Sequence, residues 1–223
     1  MQEGSLKDRL AQVRERIHAA AARSGRDANT VLLLAVTKIF PASVIRDAHE
    51  LGLRDFGENY VQEFAEKALT LTDLEGNRYH LIGHLQSNKA ARAAELFQVV
   101  QSVDSAKIPA RLNAAGRQID VMLEIKLAAE GSKTGADPAD LPELIDAVRA
   151  CPNLRLTGLM VIPPWSENAE LSRPYFARLR ELAGRFNLPE LSMGMSNDLE
   201  VAIEEGATCV RVGTALFGKR TKR

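Results

Sequence analysis

Cysteine is nearly absent from this chain. The two cysteines, Cys151 and Cys209, show no metal-ligand spacing, and both sit beside or within apolar strand-like runs. Buried free thiols in a reducing compartment are the expectation, not a disulfide framework or a zinc site. Net charge is absent as well: 29 Lys and Arg offset 29 Asp and Glu. Composition therefore supplies no pull toward nucleic acid or an anionic membrane. Long apolar runs are missing too, and no stretch approaches the ~18 residues of a membrane span. The first residues carry Glu3, Lys7, Asp8 and Arg9, a charged helical start and not a secretory signal. The expectation is a cytoplasmic protein with no nucleic-acid or membrane partner. The one cluster of like charge, Lys219, Arg220, Lys222 and Arg223, reads as a solvated terminus. No linker or low-complexity stretch divides the chain, so its 223 residues are read as a single domain, 1–223.

What is present is a rhythm. Leu6 to Arg23 reads as an amphipathic helix with Leu10, Val13 and Ile17 on one stripe. After it, apolar runs alternate with helical segments. The runs are Val31–Thr37, Asp55–Gly57, His80–Gly83, Gln98–Val103, Val121–Leu127, Leu154–Ile162, Leu191–Met195 and Thr208–Val212. Helical patterns between them cover Ala42–Leu51, Glu58–Leu69, Lys89–Leu96, Ser105–Ala115, Pro138–Ala150, Ala169–Phe186 and Leu199–Glu205. Such alternation implies a parallel sheet with helices outside. Eight units predict a closed (β/α)8 TIM barrel with an extra N-terminal helix, and a doubly wound open sheet is the competing architecture.

Lys38 ends the first apolar run. Strand alternation places Leu32, Leu34 and Val36 beneath it inside the barrel, and Val31, Leu33 and Ala35 toward the helices. An amine over an aliphatic floor is a candidate Schiff-base former; a lysine snorkelling to solvent is the plainer alternative. The seventh run leads into Ser196, Asn197 and Asp198, the eighth into Gly213 and Thr214. Barrels often bind phosphate at those two loops, although ordinary helix caps use the same residue types. Arg211 stands inside an apolar strand and needs a partner, either a core carboxylate such as Glu58 or Glu124 or a ligand acceptor. An amine, phosphate loops and an arginine facing one cavity suggest pyridoxal 5'-phosphate (PLP).

At these residues the chain resembles the YggS/PROSC family of PLP-binding proteins of vitamin B6 homeostasis. The matching blocks are LLAVTK ending at Lys38, FGENYVQE from Phe56, HLIGHLQSNK from His80, EGSKTG from Glu130, GLMVIPP from Gly158, SMGMSND from Ser192 and VRVGTALFG from Val210. The resemblance implies a barrel like the N-terminal domain of alanine racemase, the fold-type III PLP class. It implies Lys38 as the Schiff-base lysine and Ser196, Gly213 and Thr214 as phosphate ligands. Arg211 would stand at the pyridine nitrogen, and Asn59 would make a polar contact to the cofactor. Lys133 is either a second amine handling PLP or a solvated loop lysine. His80 and His84, four apart, would share one face of the third strand, with His84 near the pocket, His80 in the core and no metal between them. Lys126 stands where many relatives carry asparagine.

Racemization needs a second base, which racemases take from an additional β domain across a dimer. The sequence ends soon after its eighth run, which leaves Tyr60 or Lys133 for that role. The leading expectation is therefore a monomeric PLP carrier or regulator, with no catalytic residue, that supplies apo-enzymes. A monomeric racemase and a Schiff-base aldolase of sugar phosphates are the competing readings.

Overall fold

Ser5 starts the first helix, α1 (Leu6–Arg23). Its hydroxyl accepts the Asp8 N–H, and the Asp8 carboxylate accepts the Ser5 N–H in return. Leu10, Val13, Ile17, Ala20 and Ala21 form the buried face of α1. That face packs on the last helices of the chain. The computed structural model describes residues 4–128 and 134–218; Lys133 and the basic tail lie outside them.

Strands and helices then alternate. The first half runs β1 (Leu32–Val36), α2 (Ala42–Glu50), β2 (Asp55–Glu58), α3 (Val61–Ala68), β3 (Arg78–Leu81), α4 (Ala90–Leu96) and β4 (Val99–Val103). The second runs α5 (Lys107–Asn113), β5 (Ile119–Glu124), α6 (Leu141–Arg149), β6 (Leu154–Met160), α7 (Arg173–Arg185), β7 (Glu190–Met195), α8 (Leu199–Glu204), β8 (Cys209–Val212) and α9 (Thr214–Phe217). The strands close a parallel barrel in chain order, with β1 against β8, Leu34 opposite Arg211 and Ala35 opposite Val212. Parallel neighbours require crossovers, and the helices supply them outside the sheet.

Side-chain alternation sorts the core into two clusters. Leu34 and Val36 pack with Ile82 and Cys209 inside the barrel, and Leu32 packs against them. Leu33 and Ala35 join the larger cluster between sheet and helices. The predicted facing of β1 is therefore observed. Phe56, Phe64 and Phe97 are fully buried, Phe56 and Phe64 against Tyr79 and Phe97 against Phe64, each contributing about 1.5–3 kcal/mol by leaving water.

Differences from the predicted pattern are local. Glu58 completes β2, and α3 begins only at Val61. Two predicted helices each open with a 3-10 turn, at Pro138–Asp140 and Ala169–Ser172, before α6 and α7. β3 stops at Leu81, so His80 and His84 do not share a strand. β5 ends at Glu124, which leaves Lys126 beyond it. The short α9 was not predicted. Among the described residues no helix is long and apolar enough to cross a membrane, and both cysteines are buried and free. Burial pushes the Cys209 thiol up to about 11, so it stays protonated.

Candidate functional site

At the C-terminal ends of the strands lies a cavity of about 260 Å3. Lys38 and Phe40 reach it from the end of β1, Asn59 from β2 and Ile82 from β3. Pro163, Pro164 and Trp165 line it after β6, Ser196 and Asn197 after β7, and Arg211, Gly213 and Thr214 at β8. Every residue predicted for the cofactor site within the described chain thus lines one cavity. His84 does not: it is exposed and bonds Asp104 at 3.0 Å. Tyr60 and Lys126 are not among the lining residues either.

Lys38 sits on a turn built with care. Thr37 is fully buried, and Phe40 N–H closes the turn onto Thr37 O at 3.1 Å. Ile39 is thereby held at φ 68°, a costly conformation for a β-branched residue. Glu63 Oε1 accepts the Ile39 N–H at 2.6 Å. Lys67, one turn further on α3, ties the group together. Its Nζ donates to Thr37 O at 3.0 Å and to Glu58 Oε1 at 2.9 Å, and lies 2.6 Å from Glu63 Oε1. The Thr37 hydroxyl also donates to Glu58 Oε1 at 2.8 Å. Burial pushes the Glu58 carboxyl up, and the Lys67 charge opposes that shift. Lys67 escaped the sequence reading, although it follows Val61 and Phe64 at three-residue spacing on the apolar stripe of α3.

The two loops expected to hold phosphate are joined to each other. Ser196 Oγ accepts the Ala215 N–H at 3.2 Å, linking the turn after β7 to α9. Asp198 shapes that turn by accepting the Met195 N–H at 2.7 Å and the Ser172 hydroxyl at 2.9 Å. Gly194 has φ 88°, and a Cβ there would stand 2.5 Å from the Ala202 Cβ, so the turn into Ser196 requires glycine. The first N–H groups of a helix have no partner within it, and at the start of α9 Gly213 and Thr214 line the cavity.

Arg211 is held by neutral acceptors and not by Glu58 or Glu124. It donates from Nη1 to Ser192 O at 2.7 Å and Ser192 Oγ at 2.8 Å, and from Nη2 to Val161 O at 2.8 Å. Among the described residues it has no carboxylate partner. Burial pulls its pKa down, yet a guanidinium stays charged. Three of its five N–H donors are thus occupied, leaving donors for the cavity.

Glu124 lies buried on β5 and accepts the Thr134 hydroxyl at 2.7 Å. Burial pushes its pKa up, against the Thr134 bond. Above the ordinary carboxylate value of ~4.3 the folded form holds a proton that the unfolded form releases. Stability therefore falls as pH rises through that window. Glu124→Gln cannot titrate and is expected to remove this part of the slope. Urea melts of both proteins at about pH 5 and pH 7 check it.

The cavity also suits a group with donors, acceptors and an anion. Asn59 Oδ1 is buried with no hydrogen-bond partner among the described residues, an acceptor left for a ligand. A closed parallel barrel with an amine, the start of a short helix and an arginine at its mouth defines a barrel of the alanine racemase N-terminal class. The family model "Alanine racemase, N-terminal domain" matches residues 9–221. Alanine racemase from Corynebacterium glutamicum superposes with a TM-score of 0.66 at 18% identity, over 94% of this chain and 61% of that one; this likeness is one of fold. The pyridoxal phosphate homeostasis protein of Pseudomonas aeruginosa is 51% identical over 97% of this chain and 96% of its own. PipY of Synechococcus elongatus, solved with PLP bound, gives a TM-score of 0.84 at 40% identity, covering 96% of this chain and 100% of that one. The chain belongs to the pyridoxal phosphate homeostasis protein family.

Proposed function

We propose that this protein binds PLP reversibly on Lys38 and serves intracellular PLP supply and homeostasis without robust turnover of its own. The observation that carries this reading is the convergence of Lys38, Asn59, Ser196, Arg211, Gly213 and Thr214 on one cavity. PLP, when bound, supplies an aldehyde that condenses with a lysine amine with loss of one water. Lys38 provides that amine from a rigid turn. Ser196, Gly213 and Thr214 hold the phosphate, and Asn59 accepts from a donor on the ring. Arg211 would keep a fixed positive charge beside the ring nitrogen. That charge disfavours protonation of the atom it faces, which weakens the ring as an electron sink. This suits storage better than carbanion chemistry.

The racemase reading needs a second base in the cavity. Tyr60 is 53% exposed and outside the lining, and Lys133 lies outside the described residues. The carrier reading extends to a cytoplasmic monomer whose open mouth releases PLP to apo-enzymes.

Trp165 supplies the test. It is the one tryptophan of the chain, is 76% exposed and lines the cavity. Its fluorescence is expected to be quenched saturably by PLP, and far less by pyridoxal, which lacks the phosphate. Ser196→Ala is expected to weaken the PLP titration about tenfold. Quenching that rises linearly without saturation, or equally with both compounds, would sink the reading.

A further inference from the structure

The interior of a parallel barrel is usually filled by branched apolar side chains. One sector of this barrel is polar from end to end. His80 on β3, Gln101 on β4, Ser192 on β7 and Arg211 on β8 are each no more than 3% exposed. Asp55 on β2 continues the line at the N-terminal end of the strands. His80 and Gln101 border a second cavity there, of about 570 Å3.

Hydrogen-bond chemistry gives this line a direction. Arginine only donates, so the Ser192 hydroxyl oxygen accepts from Arg211 Nη1 at 2.8 Å. The Ser192 proton goes to Gln101 Oε1 at 2.6 Å. The Gln101 amide then turns its NH2 to His80 Nδ1 at 3.0 Å, which must be bare to accept it. The ring proton is left on Nε2, 2.9 Å from Asp55 Oδ1. A carboxylate accepts, so every donor points from the guanidinium toward Asp55.

The reverse order fails at two places. Turning Gln101 round would set two donors against the Ser192 oxygen and leave the serine proton only the weak sulfur acceptor of Cys209. It would also require a proton on Nδ1, which leaves a bare Nε2 facing a carboxylate unless the ring is cationic. Burial keeps His80 neutral, against the attraction of Asp55 and Glu190 and together with the repulsion of Arg78. Aligned donors in a low-dielectric interior reinforce one another. The negative ends of the Ser192 and Gln101 groups therefore face a buried cation that has no carboxylate partner among the described residues.

We propose that Gln101, acting through Ser192 and anchored by His80 and Asp55, is a positioning residue for the Arg211 guanidinium. The cofactor end of the barrel is thereby oriented from its opposite face. This deepens the PLP reading and rests on it for the role of Arg211.

Nitrogen-15 NMR of histidine in the full ligand-free chain is expected to show His80 as the neutral Nε2–H tautomer at neutral pH. An Nδ1–H tautomer or an imidazolium there overturns the proposal, with no dependence on PLP or on any variant. Gln101→Leu is expected to weaken PLP binding about tenfold. It should also move the pH midpoint of the bound cofactor's visible absorption by about one unit. Gln101→Glu still accepts from Ser192 and should recover most of the affinity, with His80 gaining a second ring proton. A leucine variant with wild-type affinity and midpoint overturns the proposal, and so does an equal loss in both variants. A wild-type chain that fails to bind PLP overturns the functional reading beneath it, while the tautomer still decides the direction of the chain.

Discussion

Lys38→Ala is expected to purify colourless and to carry no mass increment after PLP and borohydride treatment. The wild-type chain should gain one reduced cofactor, mapped to the peptide holding Lys38. Ser196, Gly213, Thr214, Asn59 and Arg211 remain in the variant, so PLP should still bind, but as an exchanging ligand. Loss of the tether should weaken retention about a hundredfold or more, since an amine fixed within reach acts at a high effective concentration. The amine is well placed for this. Thr37 beside it is sealed in the core, the turn is closed by Phe40, and Ile39 is pinned by Glu63. A lysine so anchored loses little further freedom on reacting. Full borohydride trapping in the variant would move the tether to another lysine and sink the assignment; Lys133 is the first place to map.

Lys67→Met is expected to cost about 3–5 kcal/mol of stability, because it leaves Glu58 buried without its cation. For a chain of this size the melting temperature should drop by roughly 10 °C or more. Glu58 is fully buried, and Lys67 has 8% of its side chain exposed, so solvent cannot replace the lost contact. Burial already pushes the Glu58 carboxyl up. Without the lysine it rises further, so the penalty should be greatest at neutral pH and shrink as pH falls through the folded value. The double variant Glu58→Gln, Lys67→Met removes both charges and should recover most of the loss. Thermal melts of the three proteins at two pH values decide it. A single variant as stable as the wild type would mean that the pair contributes nothing. Since Glu63 and Thr37 O also bind Lys67, PLP binding by the single variant should weaken as well.

These two lysines differ in how openly the sequence displays them. Lys38 stands at the end of an apolar run, where a charge is conspicuous. Lys67 sits inside a helix rich in charged residues, where a buried lysine looks like its solvated neighbours. Only the spacing from Val61 and Phe64 betrays it. His84 illustrates the opposite error. Its position four residues after His80 suggests a shared strand face, but β3 ends at Leu81 and the chain turns His84 toward Asp104. Strand ends depend on where a neighbour stops offering hydrogen bonds, and that is not local information.

The sequence by itself determined the alternating architecture, the inward stripe of β1 and a set of residues that meet at one cavity. Those features follow from periodicity and from residue chemistry along one segment at a time. Tertiary structure alone decided what holds those residues. Arg211 takes neutral carbonyls and a serine hydroxyl, and not the core carboxylate that is one of its two expected partners, and Lys38 rides on a turn clamped by Glu63 and Lys67. Gln101, His80 and Asp55 form a line only because barrel closure brings β2, β3, β4, β7 and β8 around one axis. Hydrogen bonds between residues as far apart as Gln101 and Ser192 depend on ångström distances across the barrel, which no pattern along the chain encodes.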